Sequence, residues 1–221
     1  MRNLTFLLCA STLVACNTSS APPPGPGAAP TAAVPATAAV ALEVGKPAPD
    51  FTLQDYDGKA YHLADLRGKT VVLEWFNPDC PFVKASHTKG SLKGLAKRWT
   101  EKGVVWLAID SAAPGKQGYA PDRVAAGKKT FEMDHPILAD ETGKVGKLYG
   151  ATNTPHVFVI DAQGVLAYRG AIDNSADGEG ESPTGGKLIN YADAALQALA
   201  AGKPVEVKET RAYGCGVKYG S

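Results

Sequence analysis

The chain has 221 residues, 44% of them hydrophobic and 20% charged, which is enough for one medium domain with accessories and an ample core. Lys plus Arg number 23 against 22 Asp plus Glu. That balance lacks the basic excess that nucleic acid or an anionic membrane surface requires, and nucleic acid is excluded as a partner.

The first element is a leader. Arg2 supplies a short positive region, "LTFLLCASTLVA" is an apolar run of signal-peptide length, and "LVAC" closes it with small residues ahead of Cys16. The run is too short to span a bilayer. It resembles a bacterial lipoprotein signal over residues 1–15, which implies cleavage before Cys16 and lipid attachment at that sulfur. The alternative is an ordinary secretory peptide in which Cys16 is incidental. Either way the mature chain is exported, and the lipoprotein reading anchors it to a bacterial membrane in the cell envelope through lipid alone. Residues 16–43 follow as "NTSSAPPPGPGAAPTAAVPATAAV" and neighbours, free of charge and aromatics over that run. Such a segment cannot bury enough apolar surface to offset its ordering entropy and reads as a disordered tether.

A globular domain is expected over residues 44–202. "DFTLQDYDGKAYHL" alternates apolar and polar residues around a turn and reads as a β-hairpin. "TVVLEWF" (70–76) and "GVVWLAID" (103–110) are nearly continuous apolar runs, the pattern of parallel strands covered on both faces. Between them Pro81 suits the first position of a helix, along which Phe82, Leu92, Leu95, Ala96 and Trp99 recur at helical spacing. A helix within 121–133, a short strand in "DHPILAD", and a short helix in "GKVGKLYG" ending at Gly150 come next. "HVFVIDAQGVLAYRG" reads as two strands joined at residues 161–164, and "GKLINYADAALQALAAG" as a closing amphipathic helix. A tail, 203–221, carries the last cysteine.

Cys9 leaves with the leader and Cys16 is taken by lipid, so the exported domain keeps Cys80 and Cys215. Outside the cytoplasm such a pair is expected to oxidise to a disulfide unless something keeps reducing it, as a staple or as part of a redox cycle. Cys80 lies between a buried strand and the helix opened by Pro81. Its sulfur is expected at the helix N-terminus, where unpaired N–H groups favour a thiolate, and hence a nucleophile. Asp79 would raise that thiol's pKa and Lys84 lower it. Glu74 falls within a strand buried on both faces, where a carboxylate must be paired, protonated or useful. His87, seven residues beyond Cys80, shares its helix face and is a candidate tuner. His156 opens a strand and reads as a packing or surface residue.

Taken in order, "VGKPAPDFTL", "DLRGK", "WFNPDCPFVK", "YGATNTPHVFVID", "AYRGAID" and "AGKPVEVKET…GCGVKY" resemble the thioredoxin fold as used by peroxiredoxin-like (redoxin) proteins. The resemblance covers residue 44 to the C-terminus. It implies an α/β, thioredoxin-like domain, a central mixed sheet flanked by helices, with an N-terminal hairpin and a C-terminal tail. It also implies that Glu74 is a buried acid shuttling protons to the thiols. Thr154 and Pro155 would form a cis-proline substrate-binding corner whose backbone is free to pair with an extended substrate, and the tail would bring Cys215 to Cys80. The implied activity is that of a thiol oxidoreductase without cofactor or metal. Cys80 attacks a peroxide or a protein disulfide, Cys215 resolves the product, and a thiol reductant partner restores the pair.

Two departures stand out. Val83 occupies the position of the second cysteine of a Cys-x-x-Cys couple. Asn77 and Leu73 stand where peroxiredoxins carry threonine and proline, Asn77 keeping hydrogen-bonding capacity, and Arg169 is the candidate for their arginine. Two readings of other classes remain: copper handling by two sulfurs and a histidine, and a binding module in which Cys80–Cys215 is a staple.

Overall fold

The computed structural model describes residues 42–220. The leader, Cys16 and nearly all of the tether lie outside the described residues.

The N-terminal hairpin forms as expected. Strand β1 (Thr52–Asp55) pairs antiparallel with β2 (Ala60–His62), and the Asp55 carboxylate accepts the Asp57 and Lys59 N–H groups inside the turn. The two long apolar runs become β3 (Val71–Trp75) and β4 (Val105–Asp110), parallel neighbours at the centre of the sheet. Strands β5 (Ile137–Ala139), β7 (His156–Ile160) and β8 (Leu166–Gly170) complete a seven-stranded mixed sheet in the order β2-β1-β5-β4-β3-β7-β8. A separate two-stranded piece joins β6 (Asn153–Thr154) to β9 (Cys215–Gly216) in the tail.

Alternation along β3 sorts the core. Leu73 and Trp75 face a cluster with Leu107, Ile109, Phe158 and Tyr149, whereas Val72 and Phe76 face the opposite layer. Helix α4 (Lys144–Tyr149) covers the first face and ends on Gly150 in the left-handed region, as its sequence predicts. The second face takes α1 (Pro81–Thr88), α2 (Leu95–Thr100), α3 (Pro121–Thr130) and α5 (Tyr191–Ala200), through Val83, Leu95, Trp99, Val124, Ala195 and Leu196.

Two helix expectations are corrected. The single helix after Pro81 is broken between Thr88 and Leu95. Gly90 packs where a side chain would strike the Gly178 backbone, and Gly94 takes a left-handed conformation immediately before α2. The last helix starts at Tyr191 rather than earlier, because Asn190 caps it. The Asn190 side chain accepts the Asp193 N–H at 2.9 Å and donates to the Ser91 carbonyl at 2.9 Å, tying α5 to that break. Among the described residues no helix is long and apolar enough to cross a membrane.

Candidate active site

At the carboxyl end of β3 the chain leaves the sheet through Asn77 to Asp79 and enters α1 with Cys80 at the N-cap and Pro81 behind it. This is where α/β sheets gather chemistry. Cys80 does lie at the helix N-terminus, yet its sulfur makes no capping bond and is only 1% exposed, packed with Phe76, Val83, Ala108 and Phe131. The thiol instead donates to the Thr154 carbonyl at 3.1 Å.

Thr154 precedes Pro155 across a cis peptide bond, as the resemblance implies. The backbone expected to be open to substrate is occupied: Thr154 pairs with Cys215 and Asn153 with Gly216, so the protein's own tail lies on that edge. Gly214 makes this approach feasible, since a methyl group there would collide with the Thr154 carbonyl and the residue has a φ of 108°. Cys215 is half-buried against the Cys80 cluster, and the Cys80 thiol lies near enough to bear on its ionisation. Both are reduced. The N–H of Phe82, the second residue of α1, is near enough to pull the Cys215 thiol down slightly. Burial, then the hydrogen bond and charge of Cys80, push the Cys215 thiol up to about 11, against a smaller pull from Lys218 and Phe82.

Asn77 does not reach the thiols: its Nδ2 donates to the Gln117 carbonyl at 2.8 Å and its Oδ1 accepts the Asp79 N–H at 2.9 Å, locking the loop. Asp79 is held by the Arg123 guanidinium and the Gly118 N–H, so its charge is answered before it bears on sulfur. Arg169 sits elsewhere, bound to the Leu42 carbonyl at 2.9 Å and to Glu209 at 2.7 Å. His156 is buried, packs tilted against Phe158 at 4.5 Å between ring centroids, and is pushed down to about 4 by burial and the nearby Arg169 charge.

Glu74 is fully buried and paired. His87 Nε2 donates to one carboxylate oxygen at 2.7 Å and Trp106 Nε1 to the other at 2.9 Å. Burial alone would raise this carboxyl. The attraction and hydrogen bond of His87, with smaller help from His135 and Trp106, hold it below the usual carboxylate range. His135 beside it is pushed down to about 4, chiefly by burial. Among the described residues no three His, Cys, Asp or Glu side chains gather as a metal site, and His87 is turned to Glu74 rather than to the sulfurs.

One acid went unnoticed in the sequence. Asp110 ends β4, 1% exposed, accepting the Tyr56 hydroxyl at 3.1 Å and the Ala112 N–H at 3.0 Å. Burial pushes it up to about 7, with the charges of Asp140 and Asp79 adding and its two hydrogen bonds opposing. Its signal was the charged last letter of "GVVWLAID". An acid with a raised folded pKa contributes stability that is full below its ordinary value of about 4 and is lost as pH rises through about 7. Asp110→Asn can keep both hydrogen bonds and is expected to be more stable than the parent by about 1–3 kcal/mol at pH 8, with little gain at pH 4. Urea midpoints at the two pH values check this, and an equal gain at both would refute the ionisation account.

The redoxin family model matches residues 43–187. A thiol-disulfide oxidoreductase ResA of Bacillus thuringiensis is 30% identical over 126 residues, covering 56% of this chain and 66% of the relative. A putative chloroplastic peroxiredoxin Q of Oryza sativa is 30% identical over 135 residues, covering 56% and 57%. The chain thus spans just under two thirds of the first of these relatives and a smaller share of the second. The crystal structure of an uncharacterised conserved protein from Geobacillus kaustophilus superposes with a TM-score of 0.69 at 32% identity, covering 81% of this chain and 93% of that one. A family match over most of the folded residues, the cis-proline corner beside Cys80 and the mixed sheet with helices on both faces agree: the chain belongs to the redoxin family and has the thioredoxin fold.

Proposed function

We propose that this chain is an exported thiol–disulfide oxidoreductase whose redox couple is Cys80 with Cys215. The observation that carries the reading is the meeting of the two thiols across the β6–β9 pairing, Cys215 opposite the very residue whose carbonyl accepts from Cys80. A sequence without Cys-x-x-Cys thereby acquires its equivalent through tertiary contact. The dithiol gives up two electrons and two protons as the S–S bond forms, and a thiol reductant restores it. The names of the relatives fall on both sides of the choice between peroxide and disulfide. Geometry favours disulfide exchange. Cys80 is covered by the tail, both polar atoms of Asn77 are engaged in the loop, and Arg169 is bound at a distance from the thiols, so neither of the two residues expected to activate a peroxide is turned to Cys80.

Glu74 enters this reading as an anchor. With its oxygens committed to His87 and Trp106, it fixes the orientation of α1 rather than carrying protons to sulfur. Thr154 and Pro155 hold the tail strand rather than a foreign one. Export and lipid attachment at Cys16 rest on residues 1–16 alone.

The test is to expose the reduced protein to oxidised glutathione and, separately, to hydrogen peroxide, following closure of the internal disulfide by mass. Closure by glutathione disulfide, reopened by dithiothreitol and lost in Cys80→Ser, is expected. Peroxide consumption orders of magnitude faster than by a free thiol would return the protein to the peroxidases.

A further inference from the structure

Either sulfur of the Cys80–Cys215 couple could be the one that meets the outside. We propose that Cys215, on the tail, is the sulfur that exchanges with partner thiols and disulfides, and that Cys80 is the internal sulfur that closes and opens behind it. This rests on the disulfide-exchange reading and reverses the polarity expected from the sequence, in which the helix-capping Cys80 attacks first.

Access is the first ground. Cys80 is 1% exposed, walled by Phe76, Val83, Ala108 and Phe131 and roofed by the tail strand on Thr154. Cys215 is part of that roof and keeps an exposed side. Thiol–disulfide exchange needs near-linear approach of the attacking sulfur, so a sulfur beneath the roof is reached only when the roof lifts.

The second ground is that the roof is fastened on both sides of Cys215. Upstream, the Tyr213 hydroxyl donates to Asp173 at 2.8 Å and Asn153 Nδ2 donates to the Gly214 carbonyl at 3.0 Å. Downstream, the Val217 N–H donates to the Thr152 carbonyl at 3.1 Å and the Lys218 carbonyl accepts the Ala113 N–H at 2.9 Å. The Tyr219 hydroxyl then donates to the Ala151 carbonyl at 2.8 Å. Lifting Cys215 to admit a partner to Cys80 would break these together, whereas attack at Cys215 breaks none.

With the Cys215 thiol pushed up to about 11, its own attack is slow at neutral pH, and the faster first contact is a partner thiolate arriving at the oxidised protein.

In that step a partner thiolate RS⁻ attacks Cys215 Sγ, the S–S bond to Cys80 breaks, and Cys80 leaves as a thiolate. It takes up a proton and becomes the thiol that donates to the Thr154 carbonyl. A second RS⁻ attacks the mixed disulfide and releases Cys215, so two RSH become RSSR as the protein disulfide becomes a dithiol. Oxidation of the protein by a disulfide runs the same steps backwards.

The experiment uses 5,5′-dithiobis(2-nitrobenzoate) as the disulfide probe on reduced full-length Cys80→Ser and Cys215→Ser. Cys80→Ser is expected to form its adduct at Cys215 at least about 100-fold faster than Cys215→Ser forms one at the roofed Cys80. As a check without substitution, the reduced wild-type protein is given substoichiometric iodoacetamide and mapped by mass, with Cys215 expected to be labelled first. Equal or faster reaction of Cys215→Ser, or first labelling of Cys80, overturns the proposal. The wild type with the same disulfide should release two thionitrobenzoates per chain and close. A stable single adduct on Cys215 would keep the polarity proposed here and end the couple instead, so the two readings fail separately.

Discussion

Oxidised protein is expected to melt about 10–20 °C above the same protein in dithiothreitol, and the difference should vanish in Cys215→Ser. The S–S bond would close a loop of about 135 residues in the unfolded chain, which removes roughly 5 kcal/mol of unfolded-state entropy. For a domain of this size each kcal/mol moves the melting temperature by about 2–4 °C. The native side opposes little of this, because the thiols already meet and the tail is already stitched down from Lys208 to Tyr219 by backbone and side-chain hydrogen bonds. Calorimetry of the two redox forms checks the value. A shift under about 3 °C would mean that the folded state must distort to accept the bond. A large shift also has a functional consequence, since whatever raises the stability of the disulfide form makes it harder to reduce, and the partner must supply that difference in reducing power.

The parts of this fold that could be read from the sequence are those set by neighbours along the chain. The hairpin follows from the Asp55 turn, β3 and β4 from unbroken apolar runs, and the end of α4 from Gly150. The break between α1 and α2 was not legible, because it depends on Gly90 packing against Gly178, a residue 88 positions away in sequence. The site divides in the same way. Cys80 at the head of α1 could be placed from strand, proline and helix spacing, and the burial of Glu74 from the strand around it. What these groups touch could not. The tail strand on Thr154, the Phe82 N–H near Cys215, and the Trp106 and His87 rings that hold Glu74 are all contacts between segments apart in sequence. No local pattern encodes them. Asn77 shows the cost of reading by position alone: it stands where a peroxide-activating residue was expected, and its amide is spent on Gln117 and Asp79.

Substituting His87 by leucine is expected to cost about 3–5 kcal/mol at pH 7, because it leaves the Glu74 carboxylate buried with only the Trp106 N–H. The pH dependence distinguishes this from simple loss of packing. In the parent protein Glu74 is held below its ordinary range, so its contribution to stability is present above about pH 4 and is lost only as pH falls through the lower folded value. Without His87 the burial effect on Glu74 is left largely unopposed and its folded pKa rises above the unfolded one. The sign then reverses: His87→Leu should be nearest to the parent in acid and fall behind as pH rises through the raised value. Glu74→Gln in the His87→Leu background removes the ionisation, and the Gln carbonyl can still accept from Trp106. That double variant should regain about 2 kcal/mol at pH 7. Urea unfolding of the four proteins at pH 5 and pH 8 tests the cycle. A cost for His87→Leu that is independent of pH and not recovered by Glu74→Gln would mean that His87 matters for its stacking on Phe131, 5.6 Å between ring centroids, and not for the carboxylate.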